Sequence, residues 1–259
     1  MTELLIFTLA APLASFGDIA PGERRLSASR PGHSALVGMI AAALGLKRDD
    51  PRQRPLASDL HFAVRIDQRG SSMTDYHTTQ TAAAKKGRRF ATRAQELDVD
   101  DPVTILSQRE YRTDSAFTVA VLAQTALPFS LKEIAAALRQ PHFILSAGRK
   151  ACPLALPPSP RIFDADSLLA AFANYDQAEN SRDNGDLTKY RGMLGMLTNA
   201  ASATYVVAYT SAFAQLLPSN PAQRRELRRD FPVDRSRWQF AQREECLIDI
   251  TPASVGATA

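Results

Sequence analysis

Apolar residues in this chain recur at two spacings, and the switches between them mark out elements along its first 150 residues. "ELLIFTLA" (3–10) is a short continuous apolar run closed by Pro12 and Gly17, the form of a buried strand. "HSALVGMIAAALGL" (33–46) places Leu36, Ile40 and Leu44 at helical spacing, with Ser34 near its start and Gly45 near its end. "DLHFAVRI" (59–66) alternates Leu60, Phe62, Val64 and Ile66 with His61, Ala63 and Arg65, which predicts a half-buried strand. "SAFTVAVLA" (115–123) alternates in the same way through Phe117, Val119 and Val121. "SLKEIAAALRQ" (130–140) opens with a Ser130-x-x-Glu133 capping box and carries Leu131, Ile134 and Leu138 on one helical face. "HFILS" (142–146) reads as a further strand.

The order strand, helix, strand, strand, helix, strand predicts an α+β, ferredoxin-like (RRM-like) βαββαβ domain. RNA-recognition domains use that arrangement, as do many proteins that never touch RNA. About fifty residues separate the second and third strands, where a hairpin needs two to five, so an arm or hairpin projecting from the sheet is expected. The insertion contains "KKGRRFATR" (85–93), five cations in nine residues with no acid among them. Later signals are weaker. "ADSLLAAFANY" (165–175) reads as a helix, "ATYVVAYT" (203–210) as a strand, "AQRRELRRD" (222–230) as a basic helix or turn, and "EECLIDI" (244–250) as a closing strand. The tail "TPASVGATA" reads as a frayed end.

Composition narrows the class without naming an activity. The chain has 259 residues, 45% hydrophobic and 22% charged, and no apolar run long enough to span a membrane. The apolar amino terminus lacks a basic n-region and is interrupted by Pro12, so it reads as a strand and not a signal peptide. Cys152 and Cys246 lie far apart without metal-site spacing, which fits a reducing cytoplasm. No HExxH, P-loop, GxSxG or paired-cysteine motif occurs, and no cofactor is implied.

Two kinds of chemistry remain. The arm's cations, with no local counterions, repel one another and would be relieved by a polyanion, and Phe90 among them could stack on a base or anchor the arm. "RRELRR" (224–229) is either a second such patch or a solvated surface helix. In "GRK" (148–150) the glycine would let the backbone approach a phosphate, and His33 and Ser34, after Arg30 and Gly32, form a helix start able to hold one. His77 beside Tyr76, with Lys85 or Lys86, could instead form a metal-free RNA-cleaving set. His61 and His142 read as structural.

Several stretches, in order, resemble one family, that of the CasD (Cas-five) subunit of the type I-E CRISPR Cascade complex. They are "LAAPLASFG" (9–17), "RPGHSALVGMIAAALGLKRDD" (30–50), "DLHFAVRID" (59–67), "DYHT" (75–78), "REYRTDSAFTVAVL" (109–122) and "GRKACPL" (148–154). The resemblance implies a ferredoxin-like domain over 1–155, of the repeat-associated mysterious protein superfamily, with a thumb at about 70–112 between strands two and three. Residues 156–259 would be a C-terminal extension packed on it. It implies a non-catalytic subunit that holds the 5′ handle of the CRISPR RNA, with the thumb inserted between handle and guide. The partners would be the CRISPR RNA, the Cascade backbone subunit, the large subunit and nearby target DNA, with no membrane. Handle contacts then fall on Arg30, His33, Ser34, Tyr76, His77, Arg109, Gly148, Arg149 and Lys150. Lys85, Lys86, Arg88 and Arg89 join them from charge alone. Type I-C relatives cleave RNA with a Tyr and an adjacent Lys and His; this chain has no Lys-His pair. A processing endoribonuclease is therefore the alternative, and a protein-interaction domain with a merely soluble basic loop is the third reading.

Overall fold

The computed structural model describes residues 1–251 apart from 21, 86, 101, 125–126, 182–190, 197–198, 219–222, 235–236 and 238. Its centre is four antiparallel strands. They are β1 (Thr2–Ala14), β5 (Leu60–Gln68), β7 (Val103–Ala123) and β8 (Arg161–Ala165), lying side by side in the order β8-β1-β7-β5. Three of the four fall where hydrophobic patterning put them. The fourth does not: "HFILS" is irregular, and β8 takes its place against β1. The reason is local. The N–H groups of His142 and Phe143 donate to the carbonyls of Ala43 and Ala42, closing the end of α1 (His33–Ala43), so they are unavailable to a ladder. Ile144 is left 89% exposed.

Beyond β5 the sheet continues through β9 (Tyr205–Tyr209), β11 (Gln239–Ile250) and β10 (Gln223–Asp234), so residues after 155 supply strands at both ends of one sheet. The "RRELRR" stretch belongs to β10 and is a strand, not a helix or turn. Its partner is β11, which pairs Arg224 with Leu247 and Arg228 with Arg243.

One face of the sheet packs Leu5, Phe7, Phe62, Val64, Phe117 and Val119 against α1, α2 (Gln53–Asp59) and α4 (Leu131–Arg139). The Ser130–Glu133 capping box opens α4 as expected. The other face packs Leu4, Ile6, Ala63 and Ala120 against α5 (Leu168–Asn180) and its surroundings. Strand β5 is therefore covered on both sides rather than half-buried. Its Arg65 is fully buried, donating to both Asp176 carboxylate oxygens at 2.8 Å and to Asp67 at 2.6 Å. Phe172 lies over the same guanidinium, at 5.1 Å. A buried cation is tolerated only with such pairing, and here it ties α5 to the sheet. Among the described residues no helix is long and apolar enough to cross a membrane.

Candidate nucleic-acid interface

The insertion between β5 and the core half of β7 is a two-stranded ribbon. Strand β6 (Ser71–Thr81) pairs antiparallel with the first half of β7, from Ser71 opposite Thr113 to Thr81 opposite Val103. No residue of β6 is buried, so neither of its faces carries an apolar stripe. Side chains alternate between the two faces of such a ribbon. Asp75 and His77 share one face with Arg109 and Ser107, while Tyr76 shares the other with Gln108. Tyr76 and His77, read together from the sequence, therefore point in opposite directions.

A third short strand completes the ribbon's root. Strand β3 (Arg24–Arg25), flanked by the paired short strands β2 (Phe16–Gly17) and β4 (Ser27–Ala28), runs parallel to β7, with Arg24 beside Gln108 and Arg25 beside Arg109. Glu110 holds this segment: its carboxylate accepts the Ser27 N–H at 3.3 Å and lies 3.9 Å from the Arg24 guanidinium. Like charges placed opposite one another are unfavourable, and Arg25 and Arg109 are so placed on the face that also carries Tyr111.

The "GRK" loop arrives at the same place. Gly148 bridges Ser15, just beyond β1, with φ +89°, and a methyl group there would overlap the Ser15 carbonyl oxygen. Only glycine accommodates both the conformation and the close approach. The turn sends Arg149 over the Tyr111 ring at 4.9 Å, with Nη2 donating to the Arg25 carbonyl at 3.3 Å. Its Nη1 is inaccessible to solvent and has no hydrogen-bond partner. Lys150 is exposed beside it. Of the candidate residues, Arg109, Gly148, Arg149 and Lys150 converge here. Arg24, Arg25 and Tyr111 join them. "GERRL" (22–26) carried two adjacent cations as a signal for this, but their partner strand lies more than 80 residues away in sequence.

The tip cations stand apart. Counting from Asp75, opposite Arg109, to the end of β6 at Thr81 gives about 20 Å of strand. Beyond it Lys85, Arg88 and Arg89 are exposed, and Lys86 lies outside the described residues. Arg88 covers the half-buried Phe90 ring at 4.9 Å beside a cleft of about 430 Å³ lined by Ala82, Ala83, Ala84 and Lys85. The tip is folded back by α3 (Arg93–Leu97): Thr92 caps it, and Thr81 donates to Glu96.

The start of α1 differs from expectation. Its N-cap is Gly32, with no side-chain cap of its own. The anion at this helix N-terminus is internal: Asp230 of β10 accepts the His33 N–H at 2.9 Å. Arg243 donates to Asp230 at 2.6 Å, and Arg228 lies 3.5 Å from it. Arg30 is likewise committed, donating to Glu245 at 2.8 Å and Glu226 at 2.7 Å, and is 5% exposed. His33 packs its ring between Phe62 and Phe231 and contacts the Ala57 carbonyl at 2.7 Å through Nε2. Burial, helped by the nearby Arg243 charge, lowers its pKa to about 4, so it carries no charge near neutrality. Arg30 and His33 are thus corrected from surface contacts to parts of a buried ionic joint, and half-buried Ser34 sits beside that filled cap. Among the described residues no group of three or more His, Cys, Asp or Glu side chains is arranged to hold a metal.

A large antiparallel sheet with helices on both faces and a cation-rich ribbon at one margin defines the class. The family model described as CRISPR-associated protein (Cas_Cas5) matches residues 4–245, and the chain belongs to that family. It is similar to the CRISPR system Cascade subunit CasD of Escherichia coli (strain K12), 30% identical over 185 residues, which cover 68% of this chain and 78% of that one. A chain of a solved CRISPR RNA-guided surveillance complex superposes with a TM-score of 0.60 at 25% identity, covering 97% of this chain and 92% of that one. A crystal structure of a Cas protein shares the fold, with a TM-score of 0.52 at 22% identity and 95% of each chain covered.

Proposed function

We propose that this chain is a non-catalytic, RNA-gripping subunit of a type I-E Cascade complex in the cytoplasm. It binds the 5′ handle of the CRISPR RNA and caps the assembly beside the backbone and large subunits, close to target DNA. On this reading residues 1–155 with β8 form a ferredoxin-like domain, and the β6–β7 ribbon is the thumb that separates handle from guide. The observation that carries the proposal is that Arg25, Arg109 and Arg149 belong to one spot at the ribbon's root: Arg25 lies beside Arg109 in the strand register and its carbonyl accepts from Arg149, while its own guanidinium donates to the Gly22 and Arg24 carbonyls. Asp75 is the acidic residue cross-strand from Arg109 on the same face, and its carboxylate lies 3.4 Å from His77. Cations held together in this way are relieved by phosphate, whose contacts position a strand without reading its sequence. Similarity to CasD and to a surveillance-complex chain supports the same partner set.

The endoribonuclease alternative needs Tyr76 and His77 to act on one phosphodiester, and their placement on opposite faces speaks against it. The test is incubation of the purified protein with its cognate repeat RNA, without metal, followed by a denaturing gel and a binding titration. Binding with intact RNA is expected. Site-specific cleavage would make the chain a processing enzyme and overturn the proposal.

A further inference from the structure

The ribbon leaves the sheet at a corner held by one arginine. On the sheet side β5 carries a bulge, with Asp67 the extra residue between Ile66, opposite Phe117, and Gln68, opposite Ala116. Asp67 is fixed there, accepting from the Arg65 guanidinium and from the Thr118 hydroxyl, each at 2.6 Å. Pairing resumes only at Ser71, opposite Thr113, so Arg69 and Gly70 lie outside the ladder. Their carbonyls are taken by a single side chain. The Arg112 guanidinium donates to the Arg69 carbonyl at 3.0 Å through Nη2 and at 3.3 Å through Nε, and Nη2 also reaches the Gly70 carbonyl at 3.1 Å. Both strands turn through left-handed backbone here, at Gly70 (φ +63°) and at Asp114 (φ +50°). A methyl group on Gly70 would overlap the Thr113 carbonyl oxygen, so the strands cross the corner in contact. Arg112 lies three residues from Arg109 along β7 and therefore on the opposite face of the ribbon, away from the root cations.

We propose that Arg112 is a positioning residue for the RNA grip: its forked clamp on the Arg69–Gly70 turn fixes the angle at which the ribbon leaves the sheet. This rests on the RNA-binding function proposed for the chain. Strand β6 buries no residue, so apolar packing does little to hold the ribbon, and polar contacts at the corner carry that task. The fixed angle keeps Arg109, on the ribbon, aligned with Arg149 and Lys150, whose loop is tied to the sheet by the bridge from Gly148 to Ser15. An arm already aligned spares RNA binding the cost of ordering it.

The test measures binding of the cognate repeat RNA to the purified full chain at several salt concentrations. Arg112→Ala should weaken affinity about tenfold, the result of the aligned arm falling to about a tenth of the population. The salt slope should stay unchanged, because the clamp neutralises no phosphate. Arg112→Lys keeps the charge without the planar fork and should remain weak. Gly70→Ala removes no charge and should act in the same direction. Spin labels at Asp98→Cys, exposed beyond α3, and Lys132→Cys, exposed on α4, report the ribbon's angle without RNA; the native Cys152 and Cys246 are buried. Their narrow distance distribution should broaden when Arg112→Ala is added. A slope flattened by about 0.7, or full recovery with Lys, would make Arg112 a phosphate contact and overturn the clamp. Undiminished affinity in Arg112→Ala, or an unbroadened distribution, also overturns it and leaves the RNA-binding function standing. Failure of the unaltered chain to bind RNA overturns that function, and the label distances then still decide whether Arg112 sets the angle.

Discussion

Asp230, on the edge strand β10, caps the helix that begins at His33, 197 residues earlier, through a 2.9 Å hydrogen bond to its backbone N–H. The same carboxylate is held by Arg243 and Arg228, and Glu245 beside it by Arg30 and Arg243. These charged side chains join the C-terminal hairpin to the start of α1. The joint commits Arg30 and the His33 amide of the "RPGHS" segment to internal partners.

That joint should be acid-labile. Burial alone would raise the carboxyl pKa values of Asp230 and Glu245, but the arginine hydrogen bonds and charges outweigh it, and both end below their ordinary range. A depressed folded-state pKa gives stability that is present above the unfolded value, about 4, and is lost as pH falls through the folded value. Hydrogen exchange at the His33 amide should accelerate below about pH 4. Asp230→Asn should remove part of this dependence and cost about 2 kcal/mol at neutral pH by urea denaturation. A pH-independent His33 amide would contradict the assignment.

Arg65→Ala should be among the most damaging single changes in the sheet. It strips Asp67 and Asp176 of the guanidinium they share, leaving Asp176 with Arg191 at 3.5 Å and Asp67 with no cation in its place, a loss of about 3–5 kcal/mol. Burial already raises the Asp67 carboxyl pKa and Arg65 opposes that rise, so without Arg65 the Asp67 carboxyl would favour its neutral form and the deficit should shrink on going from neutral pH to about pH 5. Denaturant unfolding at the two pH values measures this.

Tyr76→Ala and His77→Ala should affect RNA affinity independently. Residues on opposite faces of a ribbon share no ligand atom, so a double-mutant cycle should give a coupling within about 0.5 kcal/mol. Strong coupling would mean that both touch one phosphate.

Replacing Lys85, Lys86, Arg88 and Arg89 with Ala should flatten the salt dependence of RNA binding by about 0.7 for each phosphate no longer neutralised. Thermal unfolding should barely move, because Lys85, Arg88 and Arg89 are exposed at the ribbon's end. An unchanged salt slope would remove the tip from the interface.

Where apolar residues form a continuous run or recur at a regular spacing, the sequence by itself determined the local structure. Leu36 and Ile40 on α1, the Ser130–Glu133 box on α4, and the apolar strands around Phe7, Phe62 and Phe117 all follow from side-chain spacing and capping chemistry. The insertion's existence followed from its length, and its charge was plain. Tertiary structure decided the rest, because the deciding partners are remote. β6 has no buried face to impress a pattern on "SSMTDYHTTQT", so the opposition of Tyr76 and His77 stayed hidden until its strand register was known. "RRELRR" has no apolar period at an exposed sheet edge, and only pairing with β11 makes it a strand. "HFILS" has the composition of a strand, yet its first amides bond to the end of α1. Asp230 fills the site at His33, while Arg25, Arg109 and Arg149 meet only when three distant segments pack together. Such long-range electrostatics leave no periodic trace in sequence; they arise when the sheet brings the segments into register.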